Sequence, residues 1–376
     1  MRPSKIKVAG ILLVLFTPVS LSASELFYEA SKDIPLGSPV SSLAFGLGWD
    51  LDRKAVGRFR FETHSLFRDD VKIEVAAEAS ATDHSLSFGI LSNYPFGASP
   101  TLGFNVYLGG EDAPDHFSFT ESEAGAELFL RFGNISGGAL DLYTAYSETK
   151  ISGVTRTSSL ILKDDAGQRT SNAVGYRYAV NFGDANSLAG RFEIGQEVAW
   201  INDDRRTHST YIGLKLNSAP QGVAVVSMAL SAGTLISKGG MSSVNERFFL
   251  GSDLIRGFAQ GGIGPRDLTA GSEALGGNQY ASARFEIHMP SIIKSAPNFK
   301  PGLFVDIGSI WGLDNTAGGS DGTSPVDAGL NIRASMGISV AWMLDAGDIS
   351  LSIANPLQKE IYDKTQLVQL SFNTTF

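Results

Sequence analysis

The stretch Ala281-Ser282-Ala283-Arg284-Phe285-Glu286-Ile287-His288-Met289 alternates without a break. Ala281, Ala283, Phe285, Ile287 and Met289 are apolar, while Ser282, Arg284, Glu286 and His288 between them are polar. Successive side chains of a β-strand point to opposite faces, so the pattern sets one face in an apolar medium and the ionisable groups on the other. Working outward, Ile332, Ala334, Met336, Ile338, Val340 and Trp342 alternate with Arg333, Ser335, Gly337 and Ser339. Upstream, Ala126, Leu128, Leu130 and Phe132 alternate with Glu127 and Arg131, and Ile212, Leu214 and Leu216 with Gly213, Lys215 and Asn217. A soluble sandwich alternates as well. Here the rhythm continues from about residue 41 to residue 376 with no helical-period stretch, and Arg191, Glu193, Arg284 and Glu286 fall on the minority face. Trp49, Tyr94, Trp200, Trp311 and Trp342 lie near segment ends. A polar lumen, an apolar outer band and aromatic girdles describe an all-β, transmembrane antiparallel β-barrel.

Seventeen candidate strands can be drawn between 41–51 and 366–376. Bacterial single-chain barrels have an even number of strands, with both termini periplasmic. Sixteen is the expected count, with 41–51 or 154–163 the surplus segment. No linker and no internal repeat interrupts the hairpin rhythm. The barrel is expected to occupy residues 41–376.

Composition agrees with that reading. Of 376 residues 43% are hydrophobic and 18% charged, yet no apolar run after the N-terminus is long enough for a membrane helix. The net charge of −9, with scattered acidic residues, leaves no electrostatic footprint for nucleic acid. There is no cysteine, which excludes disulfides, thiol nucleophiles and Cys-based metal sites. At the N-terminus Arg2, Lys5 and Lys7 precede the apolar run Val8 to Phe16 and small residues ending at Ala23. That order predicts a secretory signal peptide over residues 1–23. Residues 24–40 are read as a short periplasmic segment, too short for a folded domain, which needs at least about 40–50 residues.

The longest stretch without strand character runs from about Lys238 to Asn278. It carries Glu246-Arg247-Phe248-Phe249-Leu250-Gly251, Leu254-Ile255-Arg256-Gly257-Phe258 and Gly264-Pro265-Arg266-Asp267. Long connections in compact domains usually serve a function or are disordered. Arg256 offers a planar fork suited to carboxylates, and an acidic partner in the lumen would hold such a loop inside the barrel. Glu286 and Asp306 are the inward-facing candidates.

From Glu246 to Phe376 the chain resembles the barrel end of the bacterial surface antigen (BamA/TamA) superfamily. The resemblance rests on Arg256-Gly257-Phe258 in a long loop, then Gly264-Pro265-Arg266-Asp267, and Gly276-Gly277-Asn278 opening the strand that carries Glu286. Phe304 to Gly308 with Ile310-Trp311 follows, and Asn355-Pro356-Leu357 closes the next-to-last strand. Gly46-Leu47-Gly48-Trp49 looks like a first strand of this family, while the rest of the first 200 residues match only in rhythm. The resemblance implies sixteen strands, with the extracellular loop after the eleventh folded into the lumen and its tip arginine paired with the positions of Glu286 and Asp306. It implies insertion or translocation of proteins at the outer membrane. The corresponding partners are outer-membrane lipid and lipopolysaccharide, unfolded outer-membrane proteins or a secreted substrate, and a separate periplasmic subunit in place of the family's periplasmic receiving domains. A pore with a plug loop is the alternative. The alternating end, Val368, Leu370, Phe372, Thr374 and Phe376, looks like the C-terminal signal of outer-membrane proteins, with Phe372 and Phe376 as its aromatic positions.

Enzyme chemistry is not expected, nor is a cofactor or a metal. His64, His84, His116, His208 and His288 are scattered and form no metal-binding or catalytic spacing. Gly261-Gly262-Ile263-Gly264 lacks the Lys-Ser/Thr of a phosphate loop and reads as flexibility. Asp69-Asp70, Asp164-Asp165 and Asp203-Asp204 read as solvated turn residues rather than calcium ligands.

Overall fold

The computed structural model describes residues 41–376 apart from 52, 65–70, 94–98, 112–118, 185–186, 203, 219–223, 292–297, 316–324, 326, 345–346 and 376. The expected signal peptide, the segment 24–40, Tyr94, Asp69-Asp70, Asp203 and Phe376 lie outside the described residues.

The alternating segments become the wall of a closed antiparallel barrel of sixteen strands. One flank holds the short strands β1 (Ser42–Asp50), β2 (Lys54–His64), β3 (Val71–Ala79), β4 (Asp83–Ser92) and β5 (Thr101–Glu111). A taller wall follows: β6 (Thr120–Ile135), β7 (Gly138–Ser152), β8 (Gly167–Gly183), β9 (Leu188–Ile201), β10 (Arg205–Ser218) and β11 (Val225–Lys238). After the long connection come β12 (Gln279–His288), β13 (Phe299–Trp311), β14 (Arg333–Leu344), β15 (Gly347–Gln358) and β16 (Val368–Thr375). Each strand pairs with its neighbour in the chain, and β1 closes the ring against β16.

The period-two pattern is obeyed by burial. Phe285 and Ile287 on β12, Leu303, Val305 and Ile307 on β13, and Met336 and Ile338 on β14 are exposed on the outside. A continuous outer band of large apolar side chains is tolerated by a closed sheet only where lipid covers it. The inner face is polar and crowded. Lys72 lies 3.2 Å from Glu62 and 3.3 Å from Glu74, all three buried. Arg131 pairs with Asp141 at 2.8 Å, Arg177 with Glu127 at 2.5 Å, and the Tyr143 hydroxyl donates to Glu197 at 2.8 Å.

Segment 41–51 is a strand, and 154–163 is the surplus one. The latter is a turn that leads into helix α1 (Leu160–Asp165), with Ser159 as N-cap. Short apolar runs such as Leu160-Ile161-Leu162 do not distinguish strand from helix by periodicity. Ile161 and Leu162 are buried in a cluster with Val244, Leu275 and Leu313, so tertiary packing settled the choice. Asp165 is correspondingly no solvated turn residue: it is buried and accepts the Val244 N–H at 2.9 Å.

Candidate functional site: the inserted loop and the seam

Pairing register builds the floor of the site. Arg284 of β12 stands opposite Asp306 of β13, and Glu286 opposite Phe304, all on the lumen face. Into this acidic patch comes the connection between β11 and β12. The Ile255 N–H bonds back to the Gly251 carbonyl at 2.8 Å, a tight turn that presents Arg256 to the wall. Arg256 donates from Nε to Asp306 at 2.7 Å and from Nη2 to its other oxygen at 2.8 Å. Its backbone N–H reaches the same carboxylate at 3.0 Å. Nη1 donates to Glu286 at 3.0 Å, and the guanidinium lies 3.5 Å over the Phe304 ring. Burial alone would lower the Arg256 pKa, but the Asp306 hydrogen bonds and the two negative charges hold it above its ordinary value. Asp306 is fully buried, so the pair is a charge-assisted bidentate contact sheltered from water.

The neighbours complete the shell. Glu286 also accepts from the Ser339 hydroxyl of β14. Arg284 lies 3.7 Å from Asp306 and donates to the Asp253 carbonyl at 2.5 Å. His288, facing the lumen one step further along β12, stands 3.4 Å from Glu286.

Beyond the arginine, Gly257 has φ +95°, a left-handed conformation suited to glycine. A Cβ there would stand 3.1 Å from the Ala354 methyl on β15. Gly264, also at φ +95°, passes so close to β13 that a Cβ would sit 2.4 Å from Ile310. Phe258 is fully buried with Leu250, Ile255, Ile263 and Ile310. Gly257–Phe258 forms a two-residue antiparallel pairing with Thr365–Gln366, the segment that enters β16. The Ala259 N–H donates to the Lys364 carbonyl at 3.0 Å, and the Lys364 N–H to Gly262 at 2.8 Å. Asp363 in the same hairpin accepts two bonds from buried Arg333 of β14, at 2.9 and 2.8 Å. The inserted loop therefore grips the segment that leads into the last strand as well as the wall.

Above the tip the connection is roofed by other loops. Arg205 donates twice to Glu246 at 2.5 Å. Arg247 bonds Ser242 Oγ at 3.0 Å and the Leu275 carbonyl at 3.1 Å, and lies 3.6 Å from Asp165. The Ser159 hydroxyl donates to Asp267 at 2.6 Å and its N–H to Glu273 at 2.7 Å. Ser242 donates to Asp314 through its hydroxyl at 2.6 Å and its N–H at 2.8 Å. Burial would raise the Asp314 carboxyl, but these Ser242 bonds and the charge of Arg247 hold it below the usual carboxylate range.

The structure thus brings Arg256, Gly257, Phe258, Glu286 and Asp306 together. Phe372 lies apart, on the outward face of β16, opposite Trp49 across the seam. The sequence reading missed the partners of Arg333, Arg247, Arg205 and Asp165. Arg333 carried a signal as a charge on the minority face, but Asp363 and Asp327 lie in loops where no periodicity marks a partner.

The seam ladder pairs Gly46–Asp50 with Ser371–Thr375, five residues among those described. On the far wall β9 pairs with β10 over fourteen, Leu188–Ile201 against Arg205–Ser218.

Comparison with known proteins places this architecture. The outer membrane protein assembly factor BamA of Neorickettsia risticii is 25% identical over 354 residues, covering 90% of this chain and 45% of that protein. BamA of Neisseria meningitidis serogroup B is 31% identical over 151 residues, covering 35% of this chain and 19% of that protein. The chain thus spans less than half the length of these relatives. Among solved structures, BamA from Haemophilus ducreyi lacking POTRA domains 1–3 superposes with a TM-score of 0.74 at 18% identity, over 90% of this chain and 71% of that one. CdiB from Acinetobacter baumannii gives 0.55 at 14% identity, over 89% of this chain and 60% of that one. At these identities the structural likeness concerns the fold alone. Residues 70–376 match the Omp85 superfamily domain, and the chain belongs to that superfamily.

Proposed function

We propose that this barrel inserts proteins into, or translocates them across, the bacterial outer membrane, and that the β1–β16 seam is where it acts. One observation carries the reading: among the described residues the strand that closes the barrel is paired over five at the seam, while its entry is gripped by the inserted loop. A short ladder is the cheapest in the wall to open. Once open, β1 and β16 present unpaired N–H and C=O groups, which template an incoming strand by β-augmentation. The Arg256–Asp306–Glu286 contact fixes the loop, and through Gly257–Phe258 the loop fixes the start of β16. The chemistry is exchange of hydrogen-bonded edges with no covalent step, so no catalytic residue and no cofactor is assigned.

The cognate substrate is an unfolded outer-membrane protein or a secreted chain, delivered by a separate periplasmic subunit. The protein reaches the outer membrane through the signal peptide at 1–23, and Phe372 and Phe376 belong to the signal by which it is itself inserted.

The chain has no cysteine, which allows a clean test. Gly48→Cys with Asn373→Cys places two thiols directly opposite each other across the seam. In proteoliposomes the reduced variant should accelerate folding of an added outer-membrane protein, and oxidation should abolish the acceleration. Full activity with the seam locked would overturn the proposal.

A further inference from the structure

On the outer face of the tall wall, the ends of β8 to β11 nearest the inserted loop carry one row of residues in register. Asn172 pairs with Trp200, Trp200 with Arg206, and Arg206 with Lys238. Arg206 and Lys238 are both exposed and stand directly opposite each other in an antiparallel ladder. Like charges so placed destabilise a sheet unless an anion offsets them. Neither forms an ion pair with a described carboxylate. The contrast with Arg205, one residue earlier, is informative: it faces inward and donates twice to Glu246. Arg206 instead lies 5.7 Å over the Trp200 ring, at the girdle.

The next row down on the same face is Val174, Val198, His208 and Ile236. Below it comes a row of Tyr176, Gln196, Thr210 and Thr234, and beneath that the outward face becomes an apolar wall that includes Ile194, Ile212 and Ala232. Two cations with Trp200 in their row, a belt that carries Tyr176, and the apolar wall thus follow in the order of a headgroup, an interface and acyl chains. With both termini on the periplasmic side, this end of the barrel lies in the outer leaflet.

We propose that Arg206 and Lys238, with Trp200 beside them in the same row, form a binding site for the phosphorylated headgroup of the outer-leaflet glycolipid, lipopolysaccharide, whose acyl chains lie along the apolar wall of β9–β11. The site stands on the wall opposite the seam and is independent of the insertion reading. Arg206 supplies a fork to the phosphate oxygens and Lys238 a point charge. The row fastens the tall wall into the rigid outer leaflet.

The test is native mass spectrometry of the full-length protein in detergent, titrated with bis-phosphorylated lipid A. Arg206→Gln with Lys238→Gln should weaken binding roughly thirtyfold, the effect of removing two cations from an anionic headgroup. Lys150→Gln removes an outward cation on β7 outside the row and should leave binding unchanged. Lipid A stripped of its phosphates should bind the wild type as weakly as intact lipid A binds the double variant. Heat-dependent gel mobility checks that each variant is folded. Equal binding by the folded double variant overturns the proposal. So does equal weakening by Lys150→Gln, which would mean diffuse attraction, or equal affinity for phosphatidylglycerol, which would mean a site for any anionic lipid.

Discussion

Arg256 concentrates more of the molecule's specific contacts than any neighbour on its loop, because Asp306, Glu286 and the Phe304 ring all converge on one guanidinium. Removing it strips the fully buried Asp306 of its bidentate partner and leaves Arg284, 3.7 Å away, as its counter-charge. Breaking a buried pair typically costs about 3–5 kcal/mol, and Arg284 puts this one at the lower end. Arg256→Ala should therefore lower the temperature at which the barrel loses its heat-dependent gel mobility. Arg256→Lys should recover only part of the loss, since an ammonium keeps the charge but not the fork or the ring stacking. Equal midpoints for wild type and alanine variant would sink this account. At Gly257 the constraint is steric: φ +95° and a Cβ 3.1 Å from Ala354 predict that Gly257→Ala costs about 1–2 kcal/mol while the guanidinium contacts stay intact. Urea midpoints measured alongside Arg256→Ala would separate the two effects. The acidic floor was legible because alternation along β12 and β13 sets Glu286 and Asp306 inward whatever the loop does. The Arg333–Asp363 pair was not, because Asp363 sits in a hairpin whose place is decided by tertiary contacts.

At the scale of elements, strands were legible wherever one face meets lipid and the other does not, since a one-residue slip would turn every apolar side chain inward. The exception is instructive. Residues 154–163 carry apolar side chains but face neither lipid nor lumen wall, and α1 packs on the roof of the inserted loop, where period two has no meaning. Its N-cap residue ties two loops together, since Ser159 donates to both Asp267 and Glu273 of the loop hairpin. Ser159→Ala deletes the hydroxyl donor and leaves the buried Asp267 carboxylate short of a partner, a loss of about 1–3 kcal/mol. The roof should then open locally while the wall stays paired. Limited proteolysis between β7 and β8 should become faster at an unchanged global unfolding midpoint. Unchanged cleavage would mean that the apolar contacts of Ile161 and Leu162 hold α1 without the cap.

For the molecule as a whole, the roof and the inserted loop should keep the barrel from acting as an open channel. The β7–β8, β11–β12 and β13–β14 connections and the start of β10 are tied together through Asp165, Arg205, Glu246, Arg247 and Asp314 at the end beyond the loop. The wall does not depend on these ties: β11 and β12 pair directly over Val225–Thr234 against Gln279–His288. Replacing residues 243–276 by a short glycine–serine turn should therefore leave a folded barrel and remove the obstruction. In planar bilayers the wild type should conduct weakly, and the shortened protein should show a several-fold larger unitary conductance. The open lumen would carry the inward charges of both signs, so only modest ion preference is expected. Arg256→Ala, which unpins the loop without deleting it, should give intermediate behaviour: brief openings of the larger size on a closed background. If the shortened barrel conducts no better than the wild type, the block lies instead in the crowded lumen around Lys72, Glu62, Glu74 and Arg177, and the loop serves only to hold β16.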